Sequence, residues 1–556
     1  MIRRGATVPP GTELECDVLV VGSGPAGTTV ALELAGSSIQ TILLESGARK
    51  ESAQSRDLLR GFVTPAGSHE PLEAYRRRQF GGTSNAWGGR CIAFDPVDLE
   101  ARPWIPHSGW PLPWSELQAS YARAATLCEV AKPEFNAETV FPGQQAEMIE
   151  GFDGADVITS VLERWGPPTN FAQKYGPLLE KSTNVTVLLN ATMTKLRIEP
   201  GTRRIKRVEV AIEDSHRFTV RPQRVVLACG GLENARLLLA SNDESPAGIG
   251  NENDNVGRYY MSHLTGIHSW AKLKDPGQTF RYDFERDNDV YVRRRFWITP
   301  DAQRREKIGN VIACFLTPYL DQALEANALA SAIFLTKFAI ALRRQSSAAE
   351  YLRQNKSELM RHVNTMFWRA PTLAPQILQV VKQRYLTKRR LPILLPRKED
   401  LNNRFALYYQ SEHMPNPESR VMLRPERDAL GTPRLDVRVA FTEMDVKTIV
   451  RTHQIIGEQF GKTATGELVV DDAPLEDAVR DQLRHFDSIA HHIGTTRMSD
   501  DPKTGVVDRN CRVHDTENLF VAGASVFPTS SHANPTLTIV ALALRLVDYL
   551  KSTRGG

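Results

Sequence analysis

A glycine fingerprint set between two apolar runs near the N-terminus leaves this chain few folds. Residues 17–22, DVLVVG, form a β-branched run of the kind buried on both faces of a parallel sheet. The run leads straight into Gly22-Ser23-Gly24-Pro25-Ala26-Gly27, a GxGxxG pattern, and then into a helix-like stretch, TTVALELAG. A second apolar run, QTILLE, ends at Glu45, 23 residues after Gly22. Each part has a physical reason. Gly22 permits a tight turn, Gly24 lets backbone approach a pyrophosphate, and Gly27 lets helix and strand pack closely. The helix N-terminus, with Pro25 and Ala26 in its first turn, offers free N–H groups and the positive end of a dipole. Glu45 stands where a carboxylate accepts ribose hydroxyls. The strand, helix and acid at this spacing predict a dinucleotide site, and the fingerprint alone leaves FAD and NAD both open.

Composition narrows the class further. The chain has 556 residues, room for more than one domain. Hydrophobic residues make up 41% and charged residues 24%, an ordinary soluble balance, and a net charge of +4 argues against a dedicated nucleic-acid binder. Arg3 and Arg4 are followed by no apolar run of signal-peptide length, and no run is long enough to span a bilayer. A cytoplasmic location is therefore expected, with export on a partner subunit's signal left open. The six cysteines, Cys16, Cys91, Cys128, Cys229, Cys314 and Cys511, form no CxxC pair, so neither a disulfide framework nor a metal site is expected. A second GxGxxG is absent, which speaks against NAD(P)H-fed flavin enzymes with two nucleotide folds.

The far end of the chain is more specific. Residues 489–498 read IAHHIGTTRM. NLFVAG, ending at Gly523, reads as a short strand, and Asn534-Pro535-Thr536-Leu537-Thr538 opens a strongly apolar helix. Three internal patches stand beside these: FGGTSNAWGG at 80–89, RVVLACGGLENARLLL at 224–239, and NVGRYYMSH at 255–263. Together and in this order they resemble the glucose–methanol–choline (GMC) oxidoreductase family. The C-terminal HANPTLT is most similar to its sugar-oxidising branch: pyranose oxidases, fructose dehydrogenases and glucoside 3-dehydrogenases. The resemblance is weak between about 265 and 480.

The resemblance implies an α/β fold: a Rossmann-like FAD-binding domain beside a substrate domain with a mostly antiparallel sheet and helices. The domains are then discontinuous, with 12–100, 175–264 and 490–556 binding FAD, and 101–174 and 265–489 forming the substrate cap. It implies an FAD-dependent alcohol oxidoreductase, with a sugar or glycoside secondary hydroxyl as the expected substrate. Alternatives in the same family are a flavoprotein lyase and an oxidase of lipid or sterol-like alcohols, and a flavin-binding electron-transfer subunit lies outside both. The reduced cofactor needs an external acceptor: oxygen, a quinone or a redox partner.

Site residues follow by position. Removing a proton from a hydroxyl suits a neutral imidazole, whose pKa lies near working pH. His491, seven residues before Met498, is the expected base, and adjacent His492 is its rival. Asn534 is the expected second catalytic residue, its amide donating to the substrate oxygen, with a helix N-cap as its plainer role. His532, two residues earlier, is the less favoured partner. Asn534, Thr536 and Leu537 are expected along the flavin's N1–O2 edge, the last two through backbone. Gly81 and Gly82 are expected close to the flavin, with Ser84 and Asn85 hydrogen-bonding it and Cys229 and Gly523 beside it. Some relatives attach flavin to a histidine in the 80–89 loop. Ala86 here has no nucleophile, so FAD is expected to be held non-covalently.

The middle of the chain reads as strands, DVYVRRRFWI and PRLDVRVAFT, of a substrate domain. Residues 321–398 read as helices ending in a basic stretch with Lys382, Arg384, Lys388, Arg389, Arg390, Arg397 and Lys398. A solvated helical excursion, a subunit contact or lid, and attachment to anionic lipid are all compatible with that pattern.

Overall fold

The computed structural model describes residues 1–212, 216–275, 280–316, 404–470, 474–486 and 490–553, together with scattered helical residues between 331 and 378. The basic residues 382–398 lie outside the described residues.

Two eight-stranded sheets carry the structure. In the first, strand Glu13–Val21 runs parallel to Thr41–Glu45 on one side and to Arg217–Leu227 on the other. Val185–Leu189 and Ile2–Arg4 extend the parallel half. The register pairs Val20 with Leu43 and Val226, so the β-branched run is flanked on both edges, and Leu19 and Val20, which point to opposite faces, are both fully buried. Arg217–Leu227 belongs to two arrangements. Its first half pairs antiparallel with Ile205–Ala211, and Val225–Leu227 pairs parallel with Leu519–Val521. The C-terminal strand thus closes onto the nucleotide half from nearly 300 residues away.

The helix after the fingerprint is Pro25–Leu34. Gly22 holds φ +97°, and a Cβ on Gly27 would fall 1.8 Å from the Gly22 carbonyl oxygen. Only glycine at 27 allows the helix to start that close to the strand it leaves. Helix Thr536–Ser552 packs against Pro25–Leu34 and is apolar almost all round, as a helix buried within a large core must be.

The second sheet is antiparallel in every pairing: Arg90–Cys91, Val157–Trp165, Val290–Ile298, Val311–Leu316, Arg404–Glu412, His263–Leu273 and Gly466–Val470 lie in that order, with Glu285–Asp287 on Val290–Ile298. The expected strand at DVYVRRRFWI is Val290–Ile298. The strand at PRLDVRVAFT is Pro433–Arg438, which joins a separate three-stranded sheet with Arg420–Arg427 and Phe62–Val63. Helix Trp114–Leu127 sits in a span that sequence assigns to the substrate cap. Its apolar stripe, Leu117, Tyr121 and Ala124, shares a core with the parallel strands and packs on Thr536–Ser552. No helix among the described residues is long and apolar enough to cross a membrane.

Candidate active site

Where the parallel strands end lies a cleft with a cavity volume of about 240 Å³, partly open to solvent. Gly22, Gly24, Pro25, Ala26 and Glu45 line it at the fingerprint end. Gly82, Ser84, Cys229, Gly523, Thr536 and His491 line it further along. Gly27, Gly81, Asn85, Asn534 and Leu537 are not among the residues that line it. Gly27 is the packing position described above, and Leu537 is fully buried in the core.

The lining fits FAD on structural grounds. A Cβ at Gly24 or at Gly230 would meet nothing within 4 Å, so bare backbone faces the cleft there. Helix Pro25–Leu34 and helix Thr536–Ser552 both begin at the cleft without a side-chain cap, leaving first-turn N–H groups for a phosphate or an electron-rich ring edge. Arg78 donates to Ser46 Oγ (2.8 Å) and to Glu233 Oε2 (2.7 Å), while its buried Nε–H finds no protein partner. Glu45 accepts from the Ser23 N–H (3.1 Å) and hydroxyl and from the Gly47 N–H (2.7 Å), which fixes its carboxylate at the cleft wall.

The 80–89 loop lines the cleft with Gly82, Thr83, Ser84 and Trp87, and its polar side chains also hold the loop together. The Ser84 hydroxyl donates to the Gly81 carbonyl and accepts from the Phe171 N–H. The Asn85 amide donates to the Phe80 and Gly82 carbonyls and accepts from Gln79 and Asn170. The Asn85 amide is thus engaged on both its atoms, while the Ser84 hydroxyl at the cleft keeps one acceptor lone pair. The Cys229 thiol points back to the Val21 carbonyl (3.2 Å), and burial pushes its pKa up to about 12.

His491 and Asn534 meet, with Asn534 Nδ2 3.4 Å from His491 Nε2. The helix N-cap is Pro535, not Asn534, so the Asn534 side chain is free for this contact. His492 also lines the cleft, but its ring stacks against His69 and Tyr260 and makes no hydrogen bond to Asn534. His532 is buried against the Asp95 carboxylate (3.0 Å) and Arg295 and makes no contact with His491. The segment carrying His491 is clamped to the helix Gly231–Ala240: Thr495 donates its hydroxyl to the Gly231 carbonyl, and Gly231 leaves room for the His492 backbone.

Three neighbours were not marked in the sequence. His263 Nδ1 lies 2.6 Å from His491 Nδ1. Gln410 donates to Asn534 Oδ1 (3.1 Å) and to the His532 carbonyl (2.5 Å). Arg90 donates to Gln410 Oε1 (2.7 Å) and pairs with buried Glu163. His263 ends the quoted NVGRYYMSH, the one available signal; Gln410 and Arg90 had none. All three come from the antiparallel sheet, where Gln410 sits opposite Thr265 and His263 opposite Glu412. Glu412 is locked by a fully buried bidentate pair with Arg102 (2.6 and 3.0 Å).

The electrostatics keep the imidazoles neutral. Burial, then the Arg90 charge, lowers the His491 pKa to about 4. Burial and His491 itself hold His263 well below its ordinary value. Burial would raise Glu163, but Arg293 and Arg90 bring it down to about 2. The Arg90 charge thus stands near a neutral imidazole.

Comparison with known proteins agrees with this geometry. A family model described as FAD dependent oxidoreductase matches residues 17–332, and one described as GMC oxidoreductase matches residues 415–543. The fructose dehydrogenase large subunit of Gluconobacter japonicus is 22% identical over 97% of this chain and 98% of its own length. A C-glycoside 3-oxidase of Arthrobacter globiformis is 34% identical over 21% of each chain. A pyranose 2-oxidase of Tricholoma matsutake is 43% identical over 11% of this chain and 12% of its own. The crystal structure of pyridoxine 4-oxidase from Mesorbium loti shares the fold, with a TM-score of 0.53 and 17% identity over 97% of this chain and 100% of that one. With a nucleotide cleft at one end of the parallel sheet and family matches over both halves of the chain, this protein belongs to the FAD-dependent oxidoreductases of the GMC family.

Proposed function

We propose that this chain oxidises a sugar or sugar-like alcohol to a carbonyl compound, with His491 as the base. The observation that carries the reading is the His491–Asn534 pair at the cleft, a neutral imidazole nitrogen beside an amide donor. His491 Nε2 takes the hydroxyl proton, and the Asn534 N–H steadies the oxygen as it gains charge. FAD, when bound, supplies the two-electron acceptor for the hydride leaving the carbinol carbon. The uncapped start of helix Thr536–Ser552 brings a positive dipole end to the same region. The Arg90 charge below disfavours a lasting imidazolium, so His491 returns to the neutral form after each turnover.

The sugar class rests on relatives named as acting on fructose, C-glycosides and pyranoses. We assign FAD binding to the cleft-lining residues Gly22, Gly24, Pro25, Ala26, Glu45, Gly82, Cys229, Gly523 and Thr536, with Gly27, Gly81, Ser84, Asn85 and Leu537 shaping them. FAD is held without a covalent bond, and acid precipitation is expected to release it. The expected discontinuous domain division is retained as a proposal.

An interfacial contact is assigned to the 321–398 region. Phe367 and Trp368 there are 75% and 71% exposed, and the chain between 359 and 398 has no acidic residue. Sedimentation with anionic vesicles that high salt reverses would identify a lipid surface, and co-purification of a second subunit would identify a protein.

Anaerobic addition of sugars, glycosides, sterols and simple alcohols tests the main reading. Loss of the flavin's visible absorbance with a sugar supports it. Turnover of a substrate without that loss would indicate a lyase and overturn it.

A further inference from the structure

We propose that His263 and the Arg90–Gln410 pair are positioning residues that hold His491 in one tautomer, with its Nε2 lone pair presented to Asn534 and the cleft. The proposal rests on the assignment of His491 as base and explains how that base is kept in its working form.

The hydrogen-bond chain has two ends whose chemistry leaves no choice. At one end, His263 Nε2 lies 3.2 Å from the Ser530 carbonyl oxygen, which only accepts, so Nε2 carries the proton. Neutral His263 then has its lone pair on Nδ1. That nitrogen is 2.6 Å from His491 Nδ1, so His491 must donate from Nδ1 and keep Nε2 bare. At the other end, the Arg90 guanidinium only donates, so Gln410 presents Oε1 to it (2.7 Å) and its NH₂ to Asn534 Oδ1 (3.1 Å). Asn534 is left with its own NH₂ facing His491 Nε2 (3.4 Å). Both chains end at the same nitrogen with the same result: an unprotonated Nε2 beside an N–H donor.

The opposite arrangement fails at several contacts at once. A proton on His491 Nε2 would set two bare Nδ1 nitrogens 2.6 Å apart, or turn a bare His263 Nε2 on the Ser530 carbonyl. Flipping Asn534 would set its NH₂ against the NH₂ of Gln410. Protonating His263 on both nitrogens is opposed by its burial and by the nearby Arg90 charge. The relay is also rigid. Arg90 is held by Glu163, and the strand ends that carry Gln410 and His263 are pinned by the Arg102–Glu412 pair.

The test uses the FAD-loaded enzyme, with FAD content and melting temperature confirming that each variant folds. His263→Leu removes the Nδ1 acceptor and is expected to slow anaerobic flavin reduction by about 10²-fold or more, as loss of a tautomer-setting partner does elsewhere. His263→Asn, which places an amide oxygen where Nδ1 stood, is expected to recover most of that loss. Gln410→Glu keeps an acceptor for Arg90, gives Asn534 no donor, and adds a negative charge. It is expected to move the acid limb of the reduction profile to higher pH, because the carboxylate favours the imidazolium. ¹⁵N-histidine NMR of the protein, with His491→Ala to assign the signals, is expected to show His491 protonated at Nδ1 and bare at Nε2. An unchanged rate in His263→Leu with an unchanged acid limb in Gln410→Glu overturns the proposal, as does an Nε2-protonated His491. Undiminished reduction in His491→Ala overturns the base assignment instead, and the NMR result then decides the tautomer by itself.

Discussion

The His492 carbonyl oxygen lies only 2.0 Å from where a Cβ on residue 231 would stand, so Gly231 is what lets the histidine-bearing segment rest on helix Gly231–Ala240. Gly231→Ala must push that segment outward by more than a side-chain adjustment, because the obstacle is backbone. Flavin reduction is expected to fall by roughly 10²-fold, the cost of about 1 Å of misplacement at a reacting centre. FAD content should remain near one per chain. Stopped-flow reduction with full FAD loading and a normal rate would show that the clamp does not position His491.

Deleting the base should be more damaging than deleting its partner. His491→Ala is expected to lower the limiting rate of flavin reduction by about 10²–10⁴-fold. Asn534→Leu removes a donor to the developing charge, and about 10²–10³-fold is expected. Because the two act on one proton transfer, the double variant should lose much less than the product of the single losses. Multiplicative losses in rapid-mixing experiments would mean that the residues serve separate steps.

Acid should weaken the fold in a defined window. His69, His453, His491 and His532 are each held near a pKa of about 4, chiefly by burial, against an ordinary value of 6.5. Below pH 6.5 the unfolded chain takes up protons on these residues that the native protein refuses. Stability therefore falls as pH drops from 6.5 toward about 4 and the loss levels off below that. Melting temperatures across pH 7 to 4 at constant ionic strength should decline through the window. A flat curve would mean these imidazoles are already charged in the native state. The same depression puts the acid limb of wild-type flavin reduction well below 6.5.

The Arg102–Glu412 pair is worth most when one partner is missing. Both side chains are fully buried, so Arg102→Met leaves an uncompensated carboxylate beside Asp98, whose own pKa is raised to about 7 by burial and by its acidic neighbours Asp95 and Glu412. A loss of about 3–5 kcal/mol of unfolding free energy is expected. Denaturant titration measures it, and a change below about 1 kcal/mol would show that water reaches the pair.

The cysteines should be inert. Burial pushes Cys16, Cys229 and Cys511 to about 12, so native protein is expected to resist alkylation at pH 8 and to label fully once unfolded. Rapid native labelling at Cys229 would mark the cleft as more open than its lining indicates.

Local chemistry was legible in the chain itself. The β-branched run, the glycines at 22, 24 and 27, the acid at 45 and the apolar helix after Pro535 each depend on neighbours within a few turns, and each stands in the structure where its pattern placed it. His491 and Asn534 could be singled out because both lie in short motifs, and the structure brings the two side chains together. In the 80–89 loop, the bonds of Ser84 to Phe171 and of Asn85 to Asn170 join residues more than 80 positions apart, which nothing local reveals. Only the tertiary structure decided which way the base points. His263, Gln410 and Arg90 reach His491 and Asn534 from another sheet, at separations with no periodicity to read. Hydrogen-bond direction is a property of groups already in contact, so it exists only once the two halves of the chain have closed on each other.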